Sequence, residues 1–245
     1  MNIRIYLFML ILLLFGTSCT KDSGANNTNP LIVESEIFTY ILYDGLTQNI
    51  LEPIQTKLDE SYSKVLDDLE VDSINKVTVR IWNNEMNFLD NMQTSIGMTY
   101  PDSTGWVYNA NDIRVLNRGN TAQTVLHEFC HAVSLVVNPQ FGNNPRWFWE
   151  AVAIYKSGEF IHPQTISYLV SGDFPTLAEL STDYNASNHN IYEVGYLISE
   201  FIIENWGKTH YVNLIRSNGD IMQTLELTVQ EFEDAWKVFV LAKYF

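Results

Sequence analysis

The chain has 245 residues, 46% of them hydrophobic and 13% aromatic, enough apolar material to build a buried core and to exclude general disorder. Fourteen Lys and Arg stand against 29 Asp and Glu, a formal charge of −15. Such a balance opposes the counterion release that drives binding to a phosphate backbone, so nucleic acid is excluded as a partner.

At the N-terminus, Arg4 is followed by eleven apolar residues, Ile5 to Phe15, and then by small residues ending at Cys19. The run is too short to span a bilayer comfortably and reads as a secretory signal. The stretch Phe15-Gly16-Thr17-Ser18-Cys19 resembles a bacterial lipobox, with Gly16 where Leu is usual. That resemblance implies removal of residues 1–18 and a lipid on Cys19, the new N-terminus; an ordinary signal peptide cut near Cys19 is the alternative. Lys21 to Pro30 is polar and Asn-rich, as befits a segment that holds a domain away from a membrane. Residues 19–34 are accordingly read as a tether, which resembles the export tether of surface lipoproteins of the Bacteroidetes and implies a lipid-anchored place in the cell envelope, at the outer membrane. Cys130 is the other cysteine, so a lipidated Cys19 leaves no intramolecular disulfide.

No internal repeat interrupts the remainder, and one domain is expected over 35–245, with a sheet-containing half (35–140) and a helical half (141–245). Leu46, Ile50, Ile54, Leu58, Tyr62, Val65, Leu66 and Leu69 recur at helical spacing and predict a long first helix, with Pro53 a candidate kink. Val77, Val79 and Ile81 then alternate with polar residues, as in a half-buried strand. A strand pair is expected at Gly105 to Tyr108 and Ile113 to Leu116, joined by the turn-like Asn109-Ala110-Asn111-Asp112. Helices follow: Thr121 to Val137, closed by Asn138-Pro139; Pro145 to Ser157, closed by Gly158; Ile191 to Trp206, closed by Gly207; and Thr228 to Ala242. Strands first and helices afterwards predict an α+β fold with a mixed or antiparallel sheet in the N-terminal half.

Inside the helix that begins near Thr121 lies His127-Glu128-Phe129-Cys130-His131, an HExxH sequence. Residues four apart share a helix face, so both imidazoles can reach one ion while Glu128 stands beside it. A catalytic zinc site takes three protein ligands and water, which calls for one more ligand. After a Gly/Asn/Pro loop, Asn138 to Pro145, the next helix carries Glu150, with eighteen residues between it and His131. This set resembles the gluzincin metallopeptidases, the thermolysin and aminopeptidase N clan, whose third ligand is a Glu on the helix after HExxH; the gap is the one seen in aminopeptidase N relatives.

The resemblance implies a zincin-like fold, one Zn²⁺ per chain held by His127, His131 and Glu150, Glu128 as general base, and a peptide or protein substrate. Tyr192-Glu193-Val194-Gly195 resembles the Tyr-Glu-x-Gly segment in which those relatives place a transition-state-stabilising tyrosine, which assigns that role to Tyr192. Two departures stand out. Thermolysin relatives carry an Asp four residues after the ligand Glu to orient a zinc histidine, and that place is Ile154 here, so any such partner must come from elsewhere. Aminopeptidases hold the substrate amine with a Gly-x-Met-Glu-Asn segment, against which this chain offers Asn84-Glu85-Met86-Asn87, in the wrong order; an endopeptidase is the expectation.

Other residues have plainer readings. Cys130, next to Phe129, reads as a small packed hydrophobe and not a ligand, and Trp147 and Trp149 read as core or cleft wall. His162, His189 and His210 have no partner at ligand spacing; His189, just before Tyr192, is the one of the three expected nearest the cleft. Two competing functions remain: a catalytically silent lipoprotein that binds peptide or glycan in a peptidase-like cleft, and a zinc hydrolase of a non-peptide substrate.

Overall fold

A computed structural model of the chain describes residues 29–182 and 189–245. The signal segment and Cys19 lie outside the described residues, as do residues 183–188 of the loop before Tyr192.

The architecture is α+β: a five-stranded mixed sheet comes first and helices follow. The strands are β1 (Leu31–Glu34), β2 (Phe38–Leu42), β3 (Val77–Trp82), β4 (Gly105–Asn109) and β5 (Asp112–Leu116), in spatial order β1-β2-β3-β5-β4. The central pairs β2–β3 and β3–β5 are parallel, and both outer pairs are antiparallel hairpins. The sheet thus begins at Leu31, and the last residues of the segment read as tether are strand.

The parallel pairs need helical crossovers, and two helices supply them. The first, α1 (Leu51–Asp68), buries Leu51, Ile54, Leu58, Val65 and Leu66 at the expected spacing. Pro53 falls in its first turn, where the missing N–H interrupts no helical hydrogen bond, so the expected kink does not arise. The second, α2 (Glu85–Ile96), is capped by the Asn84 side chain. It covers the opposite sheet face, where Phe88 and Met92 pack with Trp82 and Leu116 in a small core of their own.

Helix α3 (Thr121–Val137) has the expected bounds and is buried continuously from Val125 to Ser134. It packs between the sheet face formed by Val77, Val79, Ile81, Ile113 and Val115, helix α1, and α4 (Arg146–Ser157). Two short helices, α5 (Ser167–Val170) and α6 (Leu177–Leu180), lead to α7 (Ile191–Arg216). At Gly207 the backbone of α7 takes φ 78° and ψ 177°, conformations open to glycine, and the helix resumes beyond it. The stop expected there is therefore a break. The chain ends in α8 (Ile221–Leu225) and α9 (Val229–Tyr244), the latter opened by a reciprocal cap between Thr228 and Glu231. No helix among the described residues is long and apolar enough to cross a membrane.

Candidate metal centre

The two histidines of α3 and the glutamate of α4 meet where these helices pack. His127, His131 and Glu150 are all buried, and one ligand atom from each lies within 4.8 Å of the others. The imidazole Nε2 atoms of His127 and His131 stand 3.4 and 3.5 Å from Glu150 Oε2. That oxygen is nevertheless buried without a hydrogen-bond partner. Three electron-pair donors converging on one point, with an acceptor left unmet, suit a cation better than one another. These residues can hold a metal ion.

Charge supports the same reading. Burial lowers the His131 pKa to about 4, leaving a neutral ring with a lone pair to give. For Glu150, burial raises the pKa, but His127 and His131 outweigh it and hold the carboxylate ionised. His127 is the opposite case to His131: burial works against its charged form, yet Glu150 and Glu159 together raise its pKa well above the ordinary value. Its proton is the one a metal must displace.

Glu159 is the residue that sequence reasoning missed. Its Oε1 lies 2.8 Å from His127 Nδ1 and accepts from Ser157 Oγ at 2.5 Å. With one ring nitrogen so engaged, Nε2 is turned to the metal point. Glu159 is nine residues beyond Glu150 and just past the helix-ending Gly158, so it takes the orienting place that Ile154 leaves vacant. The acidic residue after a helix-stopping glycine was the available signal, but no periodicity marks it. His131 is fixed differently, by stacking on Trp149 with ring centroids 3.9 Å apart and planes at 13°.

A cleft of about 850 Å³ opens over the three ligands, lined by Glu128, Trp149, Tyr192, the loop residues Pro139, Gly142 and Asn143, and strand β4. Glu128 is 6% exposed, and burial pushes its carboxyl up to about 8, helped by Glu150 and Glu159 against the opposing effect of His127. Gly105 of β4 lies directly against it. A Cβ there would stand 2.8 Å from Glu128 Oε1 and from Thr124 Cγ2, so only glycine lets the strand come this close.

Strand β4 is also a sheet edge, paired on one side only and shifted in register between Val107 and Asn109. It is held from the far face by Arg114, whose guanidinium lies 4.2 Å from the Tyr108 ring and bonds Asn91 and Ser95 of α2.

Tyr192 reaches the cleft from the first turn of α7, its ring 6.3 Å from that of His127. Burial raises its hydroxyl pKa, and the neighbouring Glu150 carboxylate adds to the shift, so the phenol stays protonated as a donor. Gly195, one turn on, accounts for the close approach of α7 to α4: a Cβ there would meet Ile154 Cδ1 at 2.8 Å and the Ala151 backbone at 3.1 Å. The Tyr-Glu-x-Gly match thus has a packing reason for its glycine.

The remaining expectations divide. Cys130 is fully buried in the core, away from the metal point. Trp149 is cleft wall and Trp147 is core. His162 and His210 are exposed and bond local backbone. His189 does not line the cleft: it stacks edge-on to Tyr168, with Nε2 3.2 Å from Asp173 and Nδ1 3.5 Å from Glu179. Two carboxylates draw it to α6 and the loop before it. The segment Asn84-Glu85-Met86-Asn87 opens α2, outside the cleft lining.

No protein-family model matches the sequence, and comparison with curated proteins found no significant relative.

Proposed function

We propose that this chain is a zinc-dependent peptidase of the gluzincin type with a zincin-like fold, carried on the outer membrane by a lipid on Cys19. The observation that carries the catalytic reading is the convergence of His127, His131 and Glu150 within 4.8 Å, beside Glu128 in an open cleft. A bound zinc supplies Lewis acidity, making water acidic enough to ionise near neutral pH and polarising a carbonyl.

The chain's own residues do the rest. An extended peptide adds to the free edge of β4 as a further strand, which brings its backbone past Glu128. Glu128, in its ionised form, takes the proton of the attacking water and hands it to the leaving amine, and the burial that pushes its carboxyl up to about 8 makes it the stronger base. Tyr192 donates to the carbonyl oxygen as negative charge develops there. The described cleft lining holds no acid beyond Glu128 and Glu150 to receive a substrate's N-terminal amine, which favours internal cleavage.

The deciding experiment is zinc analysis of the purified chain together with cleavage of a peptide library. Zinc without peptide cleavage gives a hydrolase of another substrate, and absence of zinc after zinc is supplied gives a binding protein. Tyr192→Phe is expected to lower kcat by about ten- to a thousandfold, roughly 1.4 to 4 kcal/mol, with zinc content and KM little changed. Wild-type kcat with a lowered melting temperature would make Tyr192 a packing residue. Cys19→Ala is expected to move the protein from the membrane to the soluble fraction and to abolish labelling by fatty acid; continued labelling would place the lipid elsewhere or remove it from the account.

A further inference from the structure

We propose that Trp149 is a positioning residue for the metal, its indole face holding the His131 ring in the plane of ligation where a hydrogen bond holds His127; this rests on the zinc reading above. The two histidines are secured unequally. His127 is fixed through its second nitrogen, Nδ1, which lies 2.8 Å from Glu159 Oε1. The same nitrogen of His131 is buried and has no hydrogen-bond partner among the described residues. A histidine that gives Nε2 to an ion keeps its proton on Nδ1, and a partner for that proton ordinarily sets both the tautomer and the ring orientation. His131 has no such partner, yet its Nε2 stands 3.5 Å from Glu150 Oε2 at the wall of an open cleft.

The indole supplies the missing restraint. Its ring and that of His131 lie 3.9 Å apart, centroid to centroid, with their planes at 13°. A flat partner at that separation lets an imidazole slide in its own plane but opposes rotation about the Cβ–Cγ bond, which would drive ring atoms into the indole. The His127 ring, at 81° to that of His131 with centroids 4.7 Å apart, closes a second side. Trp149 is itself locked: it is 6% exposed and meets Phe141 edge-on at 5.4 Å, and the fully buried Phe141 meets Phe148 edge-on at 5.5 Å. Because Trp149 precedes Glu150 in α4, one turn of helix carries both the third ligand and the support for the second. Trp147, two residues earlier, is an indole of the ordinary core kind, with Phe148 and Phe232 as its ring partners.

The test measures metal affinity, so it does not depend on turnover. Zinc dissociation constants are obtained by competition with a chromophoric chelator, well below the melting temperature, for the wild type, Trp149→Phe, Trp149→Leu and, as a packing control, Trp147→Leu. The visible spectrum of each cobalt-loaded protein reports the arrangement of the ligands. Trp149→Leu, which keeps an apolar side chain but offers no flat face, should weaken zinc binding about ten- to a hundredfold and alter the cobalt bands. Trp149→Phe restores a flat face and should stay within about threefold of the wild type, with the cobalt spectrum intact. Trp147→Leu should lower the melting temperature and leave zinc affinity and spectrum as they are. Should Trp149→Leu not fold, Trp149→Met takes its place with the same expectation. Wild-type affinity in the Leu or Met variant, an equal loss in Trp149→Phe, or an equal loss in Trp147→Leu would overturn the proposal, because each leaves Trp149 with packing alone. A wild-type chain that takes up neither zinc nor cobalt overturns the zinc reading itself, an outcome distinct from the other three.

Discussion

Glu128→Gln is expected to leave the protein folded and zinc-loaded while lowering peptide cleavage by about two to four orders of magnitude. The substitution keeps shape and volume at a side chain that is 6% exposed and packed against Gly105, where larger changes would move β4. It alters one capacity. An amide oxygen cannot accept the proton of the attacking water, and an amide nitrogen has no proton of suitable acidity for the leaving amine. Stability is not expected to fall, because burial already pushes this carboxyl up to about 8 and a neutral amide imitates its protonated form. The measurement is kcat/KM on the best library peptide, read beside zinc content and melting temperature. Turnover near the wild-type rate in a zinc-loaded sample would remove Glu128 from the mechanism.

Loss of a ligand acts on a different quantity. His127→Ala and Glu150→Ala should each reduce bound zinc from about one per chain to near zero after dialysis, because the remaining pair cannot complete the usual three-ligand site. The effect also appears in stability. Zinc at about a hundred times its Kd stabilises a protein that binds it only when folded by about 2.7 kcal/mol, so the wild-type melting temperature should rise on zinc addition and those of the two variants should not. Glu150 is the sharper test, since it tells a ligand from an acid that happens to lie near two histidines. A Glu150→Ala protein that holds zinc as tightly as the wild type would transfer the third place to another residue.

Most of the site could be read from the chain because it is written in local spacing. His127 and His131 are one turn apart on a helix whose bounds, Thr121–Val137, are set by Asn120 before it and Asn138-Pro139 after it. Glu150 follows on the next helix, and the loop between them is marked by glycine, asparagine and proline. What stayed hidden depends on tertiary contact. Glu159 is a partner of His127 only because the end of α4 lies against α3. Strands β1 and β2 were missed because Leu31–Glu34 is mostly exposed and follows directly on a polar stretch, while β2 is too short for its alternation to stand out. Helix α2 was missed although Phe88, Leu89, Met92 and Ile96 recur at helical spacing; just Phe88 and Met92 of them are buried. His189 was expected nearest the cleft from its closeness to Tyr192 in sequence, but the helix start at Ile191 turns the two side chains to different neighbours.

The free edge of β4 has a consequence for self-association. A strand with unpaired N–H and C=O groups will template another strand, and folded proteins with such edges tend to stick to copies of themselves. This edge lines the cleft beside α3 and the 138–143 loop, where an extended chain can reach it. A formal charge of −15 adds mutual repulsion between copies. On the proposed lipid anchor, where tethered molecules would crowd in two dimensions, that repulsion would help keep the edge available to the proposed peptide substrate.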